Sequence, residues 1–162
     1  VLVCGAAGGV GTIFTQLAAR EGATVIGTAS EVNHDYVRSL GATPVVYGAG
    51  QADRIRAVSP RIDVVFDAAG HENLRTAIEL VDDRDRVATI VGMTPAVELG
   101  WRIVRSRRDR SRLNDLMDRV DSGELVVHVR RSYPLGEAAD AHRDVETGHG
   151  RGKVVLQIGR QQ

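Results

Sequence analysis

Apolar residues along this chain fall into short runs, separated by stretches with helical spacing. Val1-Leu2-Val3-Cys4 is an unbroken apolar run, and Thr12 to Glu21 carries Leu17 and Ala18 on the buried side of a helix that Gly22 ends. Thr24 to Thr28 reads as a second strand, and Asn33 to Leu40 as a helix stopped at Gly41. Pro44 to Tyr47 predicts a short third strand near a sheet edge, because Pro44 has no N–H to give to a ladder. Ala52 to Val58 is a short helix, Ile62 to Asp67 a fourth strand, Glu72 to Leu80 a helix, Arg86 to Val91 a fifth strand and Val97 to Val104 a candidate sixth. Strands apolar on both faces, alternating with helices, predict a parallel sheet with right-handed crossovers, the doubly wound α/β (Rossmann) fold. The remainder reads differently. It gives a helix over Arg112 to Val120 closed by Ser122-Gly123, an alternating strand over Leu125 to Arg131, and a helix over Glu137 to Thr147. A turn from Gly148 to Gly152 then leads into a last strand over Lys153 to Ile158.

Between the first strand and the first helix lies Gly5-Ala6-Ala7-Gly8-Gly9-Val10-Gly11, with four glycines in seven residues. In this strand–turn–helix context the spacing Ala6-x-Gly8-x-x-Gly11 fits a dinucleotide fingerprint, with Ala in the first glycine slot. Small residues let the chain turn sharply and let a pyrophosphate reach bare N–H groups at the helix start. Gly8 and Gly9 then lie against the pyrophosphate, with Ala7 and Val10 beside them, and Gly11 lets the helix pack on the strand. The alternative is a tight turn with no ligand.

Composition narrows the picture only modestly. The chain has 162 residues, enough for one domain with a sizeable core, and its 21 Lys+Arg balance 21 Asp+Glu. That balance favours neither a nucleic-acid nor a membrane partner. The only cysteine, Cys4, excludes an internal disulfide and a cysteine zinc cluster, and fits strand packing in a reducing cytoplasm. Six arginines crowd the stretch from Arg102 to Arg112; with no interleaved aromatic residues they read as a solvated loop and helix face.

The glycine turn, Leu40-Gly41-Ala42, Val64-Val65-Phe66-Asp67-Ala68-Ala69-Gly70, Tyr133 to His142 and Gly152-Lys153-Val154-Val155-Leu156 occur in the order found in one family. The chain resembles the medium-chain dehydrogenase/reductase superfamily, most of all its zinc-free, quinone-oxidoreductase-like, NADP-dependent branch. The resemblance implies a Rossmann domain over 1–124 and, over 125–162, a segment returning to a GroES-like barrel domain whose N-terminal part precedes this sequence. It implies hydride transfer from NADPH to a quinone or α,β-unsaturated carbonyl acceptor, no metal, a cytoplasmic enzyme, and a homodimer formed through the edge strand near Trp101.

Cofactor preference follows from the end of the second strand. NAD-preferring domains place an acid there for the ribose 2′-OH; here Thr28 occupies that place, with Ser30 and Asn33 following as donors to a 2′-phosphate. Relatives often carry Ser and Lys at the two latter positions, so Asn33 lacks a charge, for which Arg38 or Tyr47 could compensate. Ser30 is also a candidate helix N-cap. The resemblance puts Ala69 and Gly70 near the nicotinamide ribose, Val91 and Gly92 beside the ring, and Lys153 either near the cofactor or in a purely structural role. No catalytic acid or base stands out. His71 reads as an exposed helix-start residue, and His142 and His149 as surface or packing residues. A short-chain dehydrogenase is excluded, since neither Tyr36, Tyr47 nor Tyr133 has a lysine four residues later. A non-catalytic NADP(H)-binding sensor or interaction module is the remaining alternative.

Overall fold

The computed structural model describes residues 1–70, 76, 79–91, 93–148 and 150–159. Strands β1 (Leu2–Cys4), β2 (Val25–Ala29), β3 (Ala42–Val46), β4 (Val65–Asp67), β5 (Val87–Thr89) and β6 (Arg102–Ile103) form one sheet in the order 3-2-1-4-5-6. Every neighbouring pair is parallel, as the doubly apolar runs require. β3 lies at one edge, the place its Pro44 demands.

Alternation along the strands divides the core in two. Leu2, Cys4, Ile26, Val45, Val65 and Val87 face one way and pack with Ile55 of α3 (Gln51–Val58), Ala96 and Trp101. Val3, Ala6, Val25 and Phe66 face the other way and pack with Val37 of α2 (His34–Ser39) and Phe14 and Ala18 of α1 (Gly11–Arg20). Phe14 stacks on Phe66 with ring centroids 3.9 Å apart, fastening α1 to the sheet centre.

The stretch from Val97 to Val104 departs from expectation. Val97 belongs to helix α4 (Met93–Leu99), and only Arg102 and Ile103 pair with the sheet. Gly100, at φ 72°, ends the helix; its N–H donates to Val97 O (3.2 Å) and the Trp101 N–H to Ala96 O (2.8 Å). This is the double-bonded glycine termination of a helix, with its apolar contact supplied by Trp101 and Ala96. Trp101 is therefore buried (6% exposed), not displayed on an exposed edge strand. The helix expected over Glu72 to Leu80 falls mostly outside the described residues; Thr76, Glu79 and Leu80 are helical.

Helix α5 (Arg110–Asp121) is capped by Asp109, whose carboxylate accepts from the Ser111 and Arg112 N–H groups. The arginine-rich stretch before it is exposed, as its composition predicts. The closing segment forms its own βαβ unit: β7 (Val129–Pro134), α6 (Ala138–Glu146) and β8 (Lys153–Gln157), with β7 and β8 parallel. It is clasped to the larger sheet's helical layer. The Gln16 side-chain amide of α1 donates to Val126 O and accepts from Val126 N–H, both at 2.9 Å, across 110 positions of sequence.

Inside that unit the Arg130 guanidinium donates to Asp144 Oδ1 at 2.6 Å and the Tyr133 hydroxyl to Asp144 Oδ2 at 3.1 Å. The Arg130 hydrogen bond, foremost, holds the Asp144 carboxyl below its ordinary range, while desolvation and then Asp144 push the Tyr133 hydroxyl up. A carboxyl lowered in the folded state stabilises above its unfolded pKa of about 3.9 and loses that contribution as pH falls through the lowered native value. Hydrogen exchange should therefore show β7 and β8 amides losing protection relative to β1 as pH falls below about 4. Asp144→Asn should produce the same selective loss at neutral pH.

Candidate functional site

All six strands of the large sheet end at one edge, and the turns leaving β1, β2, β4 and β5 meet there. The glycine turn after β1 is shaped by contacts only glycine permits. A Cβ on Gly11 would lie 2.1 Å from Gly5 O, so α1 starts directly against the end of β1. The Gly8 N–H closes the turn on Gly5 O (2.9 Å), and the Gly5 N–H donates to Thr28 Oγ1 (3.1 Å). Among the described residues the N–H groups of Ala7, Gly9, Val10 and Gly11 have no acceptor, α1 has no side-chain cap, and its first turn has no acid. Free N–H groups at an uncapped helix start, joined to the helix dipole, are a site for a phosphate anion.

The closing unit reaches into this turn. The Gly152 N–H donates to Ala7 O at 2.9 Å, and Lys153 Nζ and Cδ each stand 3.2 Å from where a Gly9 Cβ would be. Lys153 thus adds a cation beside the free N–H groups. The structure fits an anionic cofactor half at the glycine turn and brings Ala7, Gly8, Gly9, Val10 and Lys153 together.

At the end of β2 the picture differs from the sequence reading. Thr28 is buried (1% exposed), with its Oγ1 accepting from the Gly5 N–H, so it braces the glycine turn from below. Ser30 is the residue that clears the edge, and its Oγ accepts from Asn33 Nδ2 at 2.9 Å. The expected helix-cap bond from Ser30 is absent; that oxygen serves Asn33 instead. Tyr47 follows the Ala29–Val46 register pair, level with Ser30, and is half exposed at the same edge. Arg38 is paired with Asp35 on the exposed side of α2.

The turns after β4 and β5 are tied to a buried carboxylate. Asp67, fully buried, accepts from the Ala69 and Gly70 N–H groups at 3.1 and 3.0 Å through Oδ1; its Oδ2 lies 2.8 Å from the Thr89 hydroxyl, whose single proton it shares with Val91 O at 2.6 Å. Thr89 in turn accepts from the Val91 N–H at 3.0 Å. Ala69, Gly70 and Val91 therefore lie together; Gly92, His71 and His149 fall outside the described residues. Ala69 also packs against the first turn, 3.1 Å from where a Gly5 Cβ would be. Sequence reasoning quoted Asp67 only as part of a turn motif and gave Thr89 no role. An acid closing an otherwise apolar strand was the available signal. His142 is exposed. Among the described residues no three or more His, Cys, Asp or Glu side chains are grouped to hold a metal ion.

Strand order 3-2-1-4-5-6 with a glycine turn opening α1 defines a dinucleotide-binding domain of the Rossmann type. Residues 40–156 match the zinc-binding dehydrogenase family, and the chain belongs to that family, within the quinone-oxidoreductase-like branch of the medium-chain dehydrogenases/reductases. It is 35% identical to the chloroplastic NADPH-dependent alkenal/one oxidoreductase of Arabidopsis thaliana, over 96% of this chain and 40% of that protein. To the mitochondrial NAD(P)H oxidoreductase RTN4IP1 of Danio rerio it is 29% identical, over 98% of this chain and 49% of that one. The chain therefore spans about half the length, or less, of these relatives. Among solved structures, the quinone oxidoreductase of Coxiella burnetii superposes with a TM-score of 0.85 at 30% identity, covering 98% of this chain and 52% of that one. No helix among the described residues is long and apolar enough to cross a membrane.

The contact of Gly11 with Gly5 leaves no room for a side chain. Gly11→Ala should cost stability at or above the upper end of the ~1–3 kcal/mol seen for overpacking, read as a lowered midpoint in chemical denaturation. Gly22→Ala, with open space around it but φ 81°, should cost only about 1 kcal/mol in the same assay.

Proposed function

We propose that this chain is the NADP(H)-binding part of a zinc-independent medium-chain oxidoreductase that reduces a quinone or an α,β-unsaturated carbonyl compound. The observation that carries the reading is the glycine turn: free N–H groups at an uncapped helix start, with Lys153 Nζ beside Gly9. These groups suit the pyrophosphate. Ser30, Asn33 and Tyr47 stand where the 2′-phosphate would be, and no acid of β2 repels it. Ala69, Gly70 and Val91 line the nicotinamide end. When bound, NADPH supplies a hydride. The chain's own work is to hold the dinucleotide along the strand ends, fix its two halves and keep water from the reacting face. The proposal assigns no metal ligand to this chain. The chain's likeness to an alkenal/one oxidoreductase and to a quinone oxidoreductase supports the substrate class.

Residues 125–162 are proposed as the segment that returns to a catalytic barrel domain. In support, that segment carries an exposed apolar set, Val126, Val127, Val129, Leu135, Val145 and Ile158. The outer edge of β6, unpaired in the sheet, supports a homodimer formed by sheet continuation.

Fluorescence titration of this chain with NADPH and NADH tests the cofactor reading. NADPH should bind at least about tenfold more tightly, ~1.4 kcal/mol. Lys153→Gln should weaken both nucleotides by a similar factor, because its amine faces the pyrophosphate they share. A folded chain that binds neither nucleotide refutes the proposal. Binding without turnover of any quinone or enone by the longer protein would favour a sensor.

A further inference from the structure

One row of side chains crosses the sheet at its last register line. Thr28, Cys4, Asp67 and Thr89 are mutual partners in β2, β1, β4 and β5, and all four are buried. The polar members of the row each hold a turn. Thr28 holds the glycine turn through the Gly5 N–H; Asp67 holds Ala69 and Gly70; Thr89 accepts from the Val91 N–H and shares its one hydroxyl proton between Val91 O and Asp67 Oδ2. The backbone adds one more tie, from the Ile90 N–H to Asp67 O at 3.1 Å.

A carboxylate this deep is costly unless hydrogen bonds satisfy it. Asp67 has no ion pair among the described residues; its partners are two turn N–H groups and one hydroxyl. If strand packing were the only requirement, an apolar pair at 67 and 89 would meet it without burying a charge. What the acid and the hydroxyl do that an apolar pair cannot is fix two separate turns to each other.

We propose that Asp67 and Thr89 are positioning residues for the nicotinamide half of the cofactor, joining Ala69-Gly70 and Val91 into one rigid ledge. The inference rests on the NADP(H) reading given above. It divides the labour of the site: the glycine turn and Lys153 hold the adenine-nucleotide half, and the Asp67–Thr89 pair sets where the ring end rests. Neither side chain touches the reacting atoms; both act through backbone.

The division can be read with two probes on the full chain. 2′,5′-ADP occupies only the adenine-nucleotide half, while the fluorescence anisotropy of bound NADPH reports the mobility of its reduced ring. Thr89→Val keeps the shape and removes the hydroxyl, taking a partner from Asp67 Oδ2, from Val91 O and from the Val91 N–H. Its 2′,5′-ADP affinity should stay within about twofold of the parent, while NADPH affinity falls about tenfold and ring anisotropy drops. Thr89→Ser should restore both. Equal weakening of the two probes, or no change in either, overturns the inference. Should Thr89→Val fail to fold by circular dichroism, Asp67→Asn decides. It replaces charge-assisted bonds to the Ala69 and Gly70 N–H groups with weaker neutral ones. Ring anisotropy should fall at unchanged 2′,5′-ADP affinity, and unchanged anisotropy overturns the inference. A parent chain that binds neither probe overturns the cofactor reading with it. One that binds 2′,5′-ADP but leaves the ring of NADPH as mobile as in solution overturns this inference alone.

Discussion

The approach of α1 to the end of β1 governs the rest of the site. Helix and strand meet so closely that Gly11 has backbone, not space, where a side chain would start. That contact aims the first N–H groups of the helix past the strand end, toward the sheet edge. They stay unpaired because the residue at the cap position is Val10, whose side chain has no acceptor to offer. An anion can satisfy these donors without rearranging anything. The same tightness explains why the turn needs support from neighbours: Thr28 from β2, Ala69 from the β4 turn and Gly152 from the closing unit all bear on it.

The support from Gly152 and Lys153 changes how the molecule is divided. By sheet topology the closing βαβ unit is separate, a two-stranded parallel pair apart from the six-stranded sheet. By chemistry it belongs to the glycine turn, because it delivers the Lys153 amine beside it. The clasp between Gln16 and Val126 and the bond from Gly152 to Ala7 hold the unit at both its start and its last strand. The amine of Lys153 is placed by these contacts and not by the sheet.

Much of the fold was legible because its signals were local. Doubly apolar runs gave a parallel sheet, and Pro44 located an edge. The strand–glycine–helix order marked the turn whose N–H groups the structure leaves without acceptors. The misreadings arose where distant parts of the chain decide. Val97, Ile103 and Val104 have strand character, yet the glycine termination at Gly100 and the burial of Trp101 make the first of them helical. Thr28 occupies the position expected to face a ribose, but the register with Cys4 places its hydroxyl under the glycine turn. Ser30 and Asn33, read from the sequence as donors in the loop after β2, do lie in that loop; that they bond to each other depends on the short turn between them. Asp67 and Thr89 stand 22 residues apart, and only the pairing of β4 with β5 makes them partners.

The clasp from Gln16 to Val126 spans 110 positions, and the bond from Ala7 to Gly152 spans still more of the chain. Contacts of such separation form late, since the intervening chain must be ordered before closure is rewarded. Strands β1 to β3, linked by short helices, can assemble early. The glycine turn then acquires its lysine only when the closing unit docks. A chain whose closing unit is undocked would therefore carry the glycine turn without the charge beside it.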